Sequence, residues 1–412
     1  MNIAFLTLGC KVNQAETEEL VRATSDEGYQ VVDPSRKADV FVVNTCTVTA
    51  TADAKTRQLL RRLHRRNPSA LIVATGCYAE RNPQELHAIE GVDLLVPRKE
   101  SHNMLSVLPR WLGTPQPTRS KTQLPLRTRA LIKVQDGCSL GCTYCIVPKV
   151  RGPGQCRPIE EILVEVARRL DEGFHEVVLT GIHIGSYNHR PDGLSQLVNQ
   201  ILRQTKLSRL RLTSLHPCDI SHRLLSEFGD YRLCPHLHIP LQSGSNKVLR
   251  AMGRHYSAED FRLAVTAVMN AILEVSVTTD VIVGFPGETD QDFEQTLSLC
   301  QQLPFSWIHA FPFSARPGTP AATLPGVEES VKAKRMKRLI SLANEKQAQF
   351  QRTFLGRNMP VLWEREAKTG VWTGLTPNYM RVHCKSQENL KGRITDTKLE
   401  QRMDWALWGR LA

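Results

Sequence analysis

The sequence predicts an α/β chain of three units: an N-terminal parallel βαβ domain, a partial or full (βα)6 barrel, and a small closed C-terminal β-barrel of the oligonucleotide-binding type. Three observations predict it. A chain of 412 residues exceeds the size at which single hydrophobic cores stop growing. Short apolar runs alternate with helical patterns up to about residue 105, and the alternation restarts at Ala130 and repeats six times. After residue 355 the pattern changes to short β-type runs broken by turn signals.

In the first unit, residues 1–110, the strand candidates are Ile3–Leu8, Val40–Val43 and Leu71–Ala74, with helical patterns at Glu16–Glu27 and Ala54–Arg66. A linker rich in Pro, Thr, Arg and Lys, Gly113 to Thr128, follows. The second unit, residues 124–354, has strand candidates at Leu131–Val134, Glu176–Leu179, Arg209–Thr213, His236–Ile239, Thr279–Val283 and Trp307–Phe311. Helical patterns such as Ile159–Leu170 and Ala258–Ala271 lie between them, and a long basic helix runs from Glu328 to about Leu355. A βα repeat of this kind carries its active site at the C-terminal ends of its strands. In the third unit, residues 355–412, five runs (Pro360–Glu364, Gly370–Gly374, Met380–Cys384, Lys391–Thr395, Trp405–Trp408) predict the small barrel. Such barrels bind RNA with basic and stacking side chains, for which Trp372, Tyr379 and His383 are available, although each fits a core position equally.

Eleven cysteines, an odd number, in a chain with 41% hydrophobic residues point to reduced thiols kept for metal or catalysis. The N-terminal apolar run is too short for a signal peptide and nothing spans a membrane, so a cytoplasmic location is expected. The formal charge of +12 favours a polyanionic partner. Lys55, Arg57, Arg61, Arg62, Arg65 and Arg66 fall in one acid-free helical stretch, and Lys332, Lys334, Arg335, Lys337 and Arg338 in a second. Each fits a solvated helix face; together they favour a phosphate backbone.

Cys138, Cys142 and Cys145 form a C-x3-C-x2-C triplet directly after the first barrel strand candidate. Three thiolates hold three irons of a 4Fe–4S cube and leave the fourth open, whereas electron-transfer clusters normally take four cysteines. A zinc knuckle is the alternative, but zinc prefers four ligands in paired short spacings and no second C-x2-C occurs.

The triplet has the loop spacing of the radical S-adenosylmethionine (SAM) enzymes, and the whole chain resembles the radical-SAM methylthiotransferase family. The family order is an N-terminal methylthiotransferase domain, a radical-SAM barrel and a TRAM domain. The resemblance implies SAM on the open iron of the Cys138/Cys142/Cys145 cluster. It implies a second 4Fe–4S cluster on Cys10 in TLGCKVNQAETE, Cys46 in VVNTCTVTATADAKTRQ and Cys77 in VATGCYAE. Each of these three follows an apolar strand candidate, where parallel strands present ligands. Reductive cleavage of SAM would supply a radical able to attack an adenine C2–H bond, and the second cluster would carry the sulfur to be methylated and transferred.

The strings GCKVNQ at 9–14, NTCTVT at 44–49 and GLTPNYMRV at 374–382 resemble the branch acting on threonylcarbamoyl-adenosine in tRNA. The implied substrate is therefore N6-threonylcarbamoyladenosine at position 37 of a tRNA anticodon loop, whose bases can be splayed out. An external one-electron donor and a sulfur donor are implied partners. His216 in TSLHP and the Ser139-Leu140-Gly141 insert depart from that branch's common wording, and His216 is the isopentenyl branch's version. Isopentenyl-adenosine and a ribosomal-protein side chain are the alternative substrates, and a non-enzymatic metal-containing RNA-binding protein is the alternative of another class.

The remaining site candidates are loop residues. Thr180 and Gly181 end the second barrel strand candidate, where glycine lets backbone approach a ligand. Ser243 and Gly244 in QSGS, near Arg254 and Tyr256, are expected near cofactor or substrate. Gly284 and Gly287 in VIVGFPGET are implied by resemblance to help hold the SAM adenine, although each pair alone also fits a plain βα turn. Cys156, Cys218, Cys234, Cys300 and Cys384 match neither cluster set, and Cys300 fits a core position.

Overall fold

The computed structural model describes residues 2–104, 127–189 and 193–412. Apart from its last two residues the linker candidate Gly113–Thr128 lies outside these, as do positions 110 and 124. The N-terminal unit is a five-stranded, all-parallel sheet of β1 (Asn2–Thr7), β2 (Gln30–Val32), β3 (Val40–Thr45), β4 (Leu71–Gly76) and β5 (Leu94–Leu95), in the order β2-β1-β3-β4-β5. All six residues of β3 are buried, as expected of a parallel strand covered on both faces. β2 and β5 are too short to show a periodicity, which is why they escape a reading of the pattern. The order reverses between β1 and β3, and the crevice beyond the carboxyl ends of strands at such a switch is where open α/β sheets bind ligands. Helix α1 (Lys11–Asp26) follows β1 and α2 (Ala50–Arg66) follows β3.

The second unit is built on β6 (Arg129–Lys133), a two-stranded hairpin of β7 (Gln135–Asp136) and β8 (Gln155–Cys156), then β9 (Glu176–Thr180), β10 (Arg209–Leu212), β11 (His236–His238), β12 (Ser276–Val283) and β13 (Trp307–Pro312). Parallel pairings run β6-β9-β10 and β11-β12-β13, and the bridges Leu210–Leu233 and Ser214–His238 join the halves. Among the described residues β6 and β13 do not pair, so the six strands form a partial barrel.

Strand alternation divides each strand between two environments. Ala130, Ile132, Val177, Leu179, Leu210, Leu212, Leu237, Val277 and Ile308 pack with the surrounding helices in one continuous core. The opposite face carries polar groups, including Glu176, Arg211, His236, His238, Thr278, Asp280 and His309. Two elements cover that concave face. Ala15 of α1 packs on Leu131 and Val178, and Arg211 donates to the Pro377 (2.7 Å) and Thr376 carbonyls of the third unit. Glu176 is fully buried; burial opposes its charge, but Arg211 at 2.7 Å, with Arg129 and Arg209 beside it, holds its carboxyl below the usual range.

The helix Glu329–Arg352 packs along β13 and leads to the third unit. Here β14 (Asn358–Lys368), β15 (Val371–Leu375), β16 (Arg381–Lys385), β17 (Ile394–Met403) and β18 (Ala406–Leu411) close in the order β14-β15-β16-β18-β17. Its core contains Val361, Trp363, Trp372, Val382, Leu399 and Leu407. Trp372 is thus a core residue, whereas Tyr379 faces the second unit: its ring stacks on His236 at 4.4 Å.

The two basic stretches part company. Lys55, Arg61, Arg62, Arg65 and Arg66 are exposed along α2. In the second stretch Lys332 pairs with Glu329 inside the same helix, while Arg335 pairs with Glu288 and Asp290 and Arg338 with Glu294, so these two arginines hold the helix to the barrel. Among the described residues no helix is long and apolar enough to cross a membrane.

Candidate functional site

Cys10, Cys46 and Cys77 stand just beyond the carboxyl ends of the adjacent strands β1, β3 and β4. Burial raises the Cys46 thiol and pushes Cys77 up to about 12, and both also feel the charge of Cys10. The residue before Cys10 must be small. Gly9 has φ +106°, and a Cβ there would lie 2.7 Å from the Cys46 Cβ. Gly76, before Cys77, has φ +94°, and its Cβ would meet the Asn44 Oδ1 at 2.3 Å. Two Gly-Cys pairs thus let three strand ends converge. Gly9→Ala is expected to cut iron in the reconstituted protein from about eight to about four per chain without removing a thiol, as read by iron and sulfide assay.

Cys138, Cys142 and Cys145 occupy the loop between β7 and the short helix Val147–Arg151. The loop is pinned on several sides. Cys138 N–H donates to the Gly152 carbonyl (3.1 Å), Thr143 N–H to Met252 (3.0 Å), and Ala321 N–H to Thr143 (2.9 Å). Tyr144 meets Phe285 edge-on at 6.5 Å. Burial raises Cys142 and pushes Cys145 up to about 11. Cys138 differs: burial opposes its ionisation, but a hydrogen bond with His183 takes it below the ordinary thiol value.

Around this loop stand groups that the sequence reading left unassigned. His183 Nε2 lies 2.8 Å from Asp219 Oδ2, and its ring stacks on His216 at 4.2 Å. Burial works against a charge on His183, yet hydrogen bonds to Asp219 and Cys138 raise its pKa to about 9. His216, buried and close to Arg254 and His183, is pushed down to about 2. Arg254 donates to the Cys142 Sγ at 3.5 Å. His183 lies inside the TGIHIG string, where the two glycines draw attention away from it.

A buried hydrogen-bond chain runs from Cys10 to Arg151 and Asp136, in the segments that flank the second triplet. The Arg151 guanidinium donates to Glu16 (3.0 and 3.1 Å), Asp136 (2.8 Å) and the Asn13 Oδ1 (2.9 Å). Asn13 accepts from Cys10 Sγ (3.2 Å) and donates to Asn44 Oδ1 (3.0 Å) and the Thr45 carbonyl (2.9 Å). On the far side of the N-terminal site, Arg316 donates to Thr47 (2.9 Å) and Asp53 (2.6 Å). Cys77 itself packs on Ile146 and Val150 beside the second triplet.

One cavity of about 1060 Å³ receives both sets: Cys10, Cys77, Cys138, Cys142 and Cys145 line it. Cys46 lies behind Gly9. Thr180 and Gly181 also line the cavity, with Gln242, His216, Arg254, Asp280 and His309. The loop Asn378–Arg381 of the third unit closes one wall. Ser243, Gly244, Gly284 and Gly287 do not line it. Ser243 is buried against Thr296 (3.2 Å), and Gly244 packs so closely that a Cβ would lie 2.6 Å from the Thr296 Cα. Gly284 N–H donates to Glu288 (2.8 Å), and Gly287 accepts from Lys247 (3.2 Å), so both shape the turn that carries Phe285. Their effect on the cavity is indirect, through the packing of Phe285 on Tyr144.

The donor chemistry fits iron–sulfur ligation. Each set offers three soft sulfur donors beside a cavity, and five of the six line it. Buried thiols whose protons are held tightly lose them when a cation binds, so cluster loading releases protons here.

Comparison with known proteins agrees. Residues 2–97 match the uncharacterized protein family UPF0004, and residues 132–300 match the radical SAM superfamily. The chain is 37% identical to the threonylcarbamoyladenosine tRNA methylthiotransferase MtaB of Bacillus subtilis, over 96% of this chain and 93% of that protein. It is 35% identical to the Aquifex aeolicus MtaB, over 93% and 96%. It is 32% identical to a tRNA-2-methylthio-N(6)-dimethylallyladenosine synthase of a Jannaschia species, over 98% and 93%. Among solved structures, the radical S-adenosylmethionine methyltransferase TsrM of Kitasatospora setae shares the fold, with a TM-score of 0.59 over 78% of this chain and 77% of that one at 15% identity. The chain therefore belongs to the radical-SAM methylthiotransferase family, in its MtaB-like branch.

Proposed function

We propose that this enzyme adds a methylthio group to C2 of N6-threonylcarbamoyladenosine at position 37 of tRNA. Its units are 1–110, 124–354 and 355–412. The observation that carries the reading is the single cavity: thiols from two separate sheets line it, and its wall is completed by a loop of an RNA-binding type of barrel. In this reading Cys138, Cys142 and Cys145 hold the 4Fe–4S cluster that binds SAM, and Cys10, Cys46 and Cys77 hold the second. When bound, the clusters and SAM supply one-electron cleavage and sulfur-transfer chemistry that no side chain offers.

The protein's own residues orient and enclose. Arg254 places a cation against Cys142, and the His183–Asp219 pair does the same at Cys138. Gln135 Oε1 accepts from the Ile182 and His183 N–H groups (2.9 and 2.8 Å), fixing the strand end that bears Thr180 and Gly181. Tyr144 lines the cavity and is backed edge-on by the buried Phe285 ring. The exposed cations of α2 engage phosphates, and the C-terminal barrel grips the stem-loop. Electrons and sulfur come from outside the chain.

Mass analysis of tRNA nucleosides tests the reading. A strain lacking the gene is expected to lose the methylthio form of threonylcarbamoyladenosine and regain it on complementation. An unchanged level sinks the substrate, and loss of the isopentenyl form instead moves it to the other branch.

A further inference from the structure

Besides histidines, one lysine and three arginines line the cavity, Lys11, Arg151, Arg254 and Arg381, against a single carboxylate among the described lining residues, Asp280. Most of these charges are already engaged. Arg151 is held by Glu16 and Asp136, Arg381 by Glu364 at 2.5 Å, and Arg254 faces Cys142. Asp280 is 3.2 Å from His238.

Lys11 differs. Among the described residues no carboxylate lies within salt-bridge distance of its ammonium and no hydrogen bond engages it; Nζ stands 5.6 Å from the centre of the Tyr379 ring. Two further cations crowd that ring, Arg211 at 4.9 Å and Arg129 at 5.7 Å, but they have Glu176 and Glu364 as partners. Lys11 is also the first residue of the 16-residue helix α1, whose first turn contains no acidic residue, so the helix dipole adds positive potential at the same place. A half-buried ammonium with no carboxylate partner among the described residues is incompletely compensated, and an anion arriving in the cavity relieves that cost.

We infer that Lys11 reads the carboxylate of the threonylcarbamoyl substituent and thereby selects this base over one with an uncharged N6 group. The inference rests on the function proposed above. The chemistry is a point-charge pairing, for which lysine suffices, inside a walled cavity where screening by salt is weak. Tyr379, held at φ 69° and stacked on His236, supplies a flat wall beside the ammonium. Because Lys11 directly follows Cys10, the substituent would anchor beside the N-terminal thiol set.

The test uses reconstituted full-length enzyme and two synthetic anticodon stem-loops, one carrying threonylcarbamoyladenosine and the other its methyl ester, which removes the charge and adds one methyl group. Binding is read by fluorescence anisotropy, and SAM binding by equilibrium dialysis. Wild type is expected to bind the acid at least about tenfold more tightly than the ester, the size of a charged hydrogen bond. Lys11→Gln is expected to bring the two within about twofold, while Lys11→Arg keeps most of the preference. Iron content near wild type in both variants separates this outcome from a lost cluster. A Lys11→Gln enzyme that keeps the full preference, or one whose loss appears in SAM affinity instead, overturns the role of Lys11. A wild-type enzyme that binds both loops but methylthiolates neither overturns the function proposed above.

Discussion

Cys142→Ala and Cys46→Ala are expected to have opposite signatures although each removes one thiol. Both should lower iron from about eight to about four per chain, since each disables one three-thiolate set. Under a low-potential reductant, Cys142→Ala should yield no 5′-deoxyadenosine, because the function proposed above puts SAM on the set that includes Cys142. Cys46→Ala should still cleave SAM but form no methylthio product. The two sets stand on separate sheets, so neither substitution removes the other's ligands. The checks are iron and sulfide assays together with chromatography of 5′-deoxyadenosine and modified nucleosides. SAM cleavage surviving in Cys142→Ala, or vanishing in Cys46→Ala, would falsify the division of labour.

Arg151→Met is expected to uncouple the two halves. The guanidinium is buried, with side-chain exposure of 1%, and joins Glu16, Asp136 and Asn13 across the interface. Removing one member of a buried ion pair costs about 3–5 kcal/mol because the remaining charges are stranded. Lys133 and Arg98 lie near the same carboxylates and offset part of this. The lasting effect is positional: Asn13 loses one of the two donors to its Oδ1, which loosens its hold between Cys10, the Asn44 side chain and the Thr45 carbonyl. A misplacement of about 1 Å is enough to lower product formation about a hundredfold. The expected readout is SAM cleavage near wild type with the ratio of methylthio product to 5′-deoxyadenosine collapsed. Arg151→Lys should not rescue it, because an ammonium lacks the planar fork that spans three acceptors. A coupled ratio in Arg151→Met would reduce the network to a structural role.

The sequence is legible where the physics is local. Strand candidates such as Arg209–Thr213 and Trp307–Phe311 fall on β10 and β13 because a run of alternating or apolar residues has few other ways to satisfy its backbone. The helix Ala258–Ala271 begins and ends where the pattern places it, with Ser257 and Asp260 forming its capping box. The C-x3-C-x2-C triplet is equally local, since its eight residues form one loop. The loop glycines show the limit. Gly244 is expected near cofactor or substrate and Gly284, by resemblance, near the SAM adenine; at each a Cβ would meet close neighbours, Thr296 and the Lys332 side chain. A glycine in a strand-end string signals crowding and does not say by what.

By itself, then, the chain's order of residues pointed to three α/β and β units, to two candidate sets of three thiols, and to the family. The tertiary structure alone decided that five of the six thiols line one cavity, that Arg151 and Asn13 join the segments beside them, that the Asn378–Arg381 loop walls the cavity, and that Lys11 lines it with no carboxylate partner among the described residues. The reason is range. Periodicity and ligand spacing act over a few residues and are written directly in sequence, whereas Gly9 against Cys46, Arg151 against Asn13 and Lys11 against Tyr379 are contacts between distant segments. Their existence depends on how the three units pack, and no short window of residues encodes that packing.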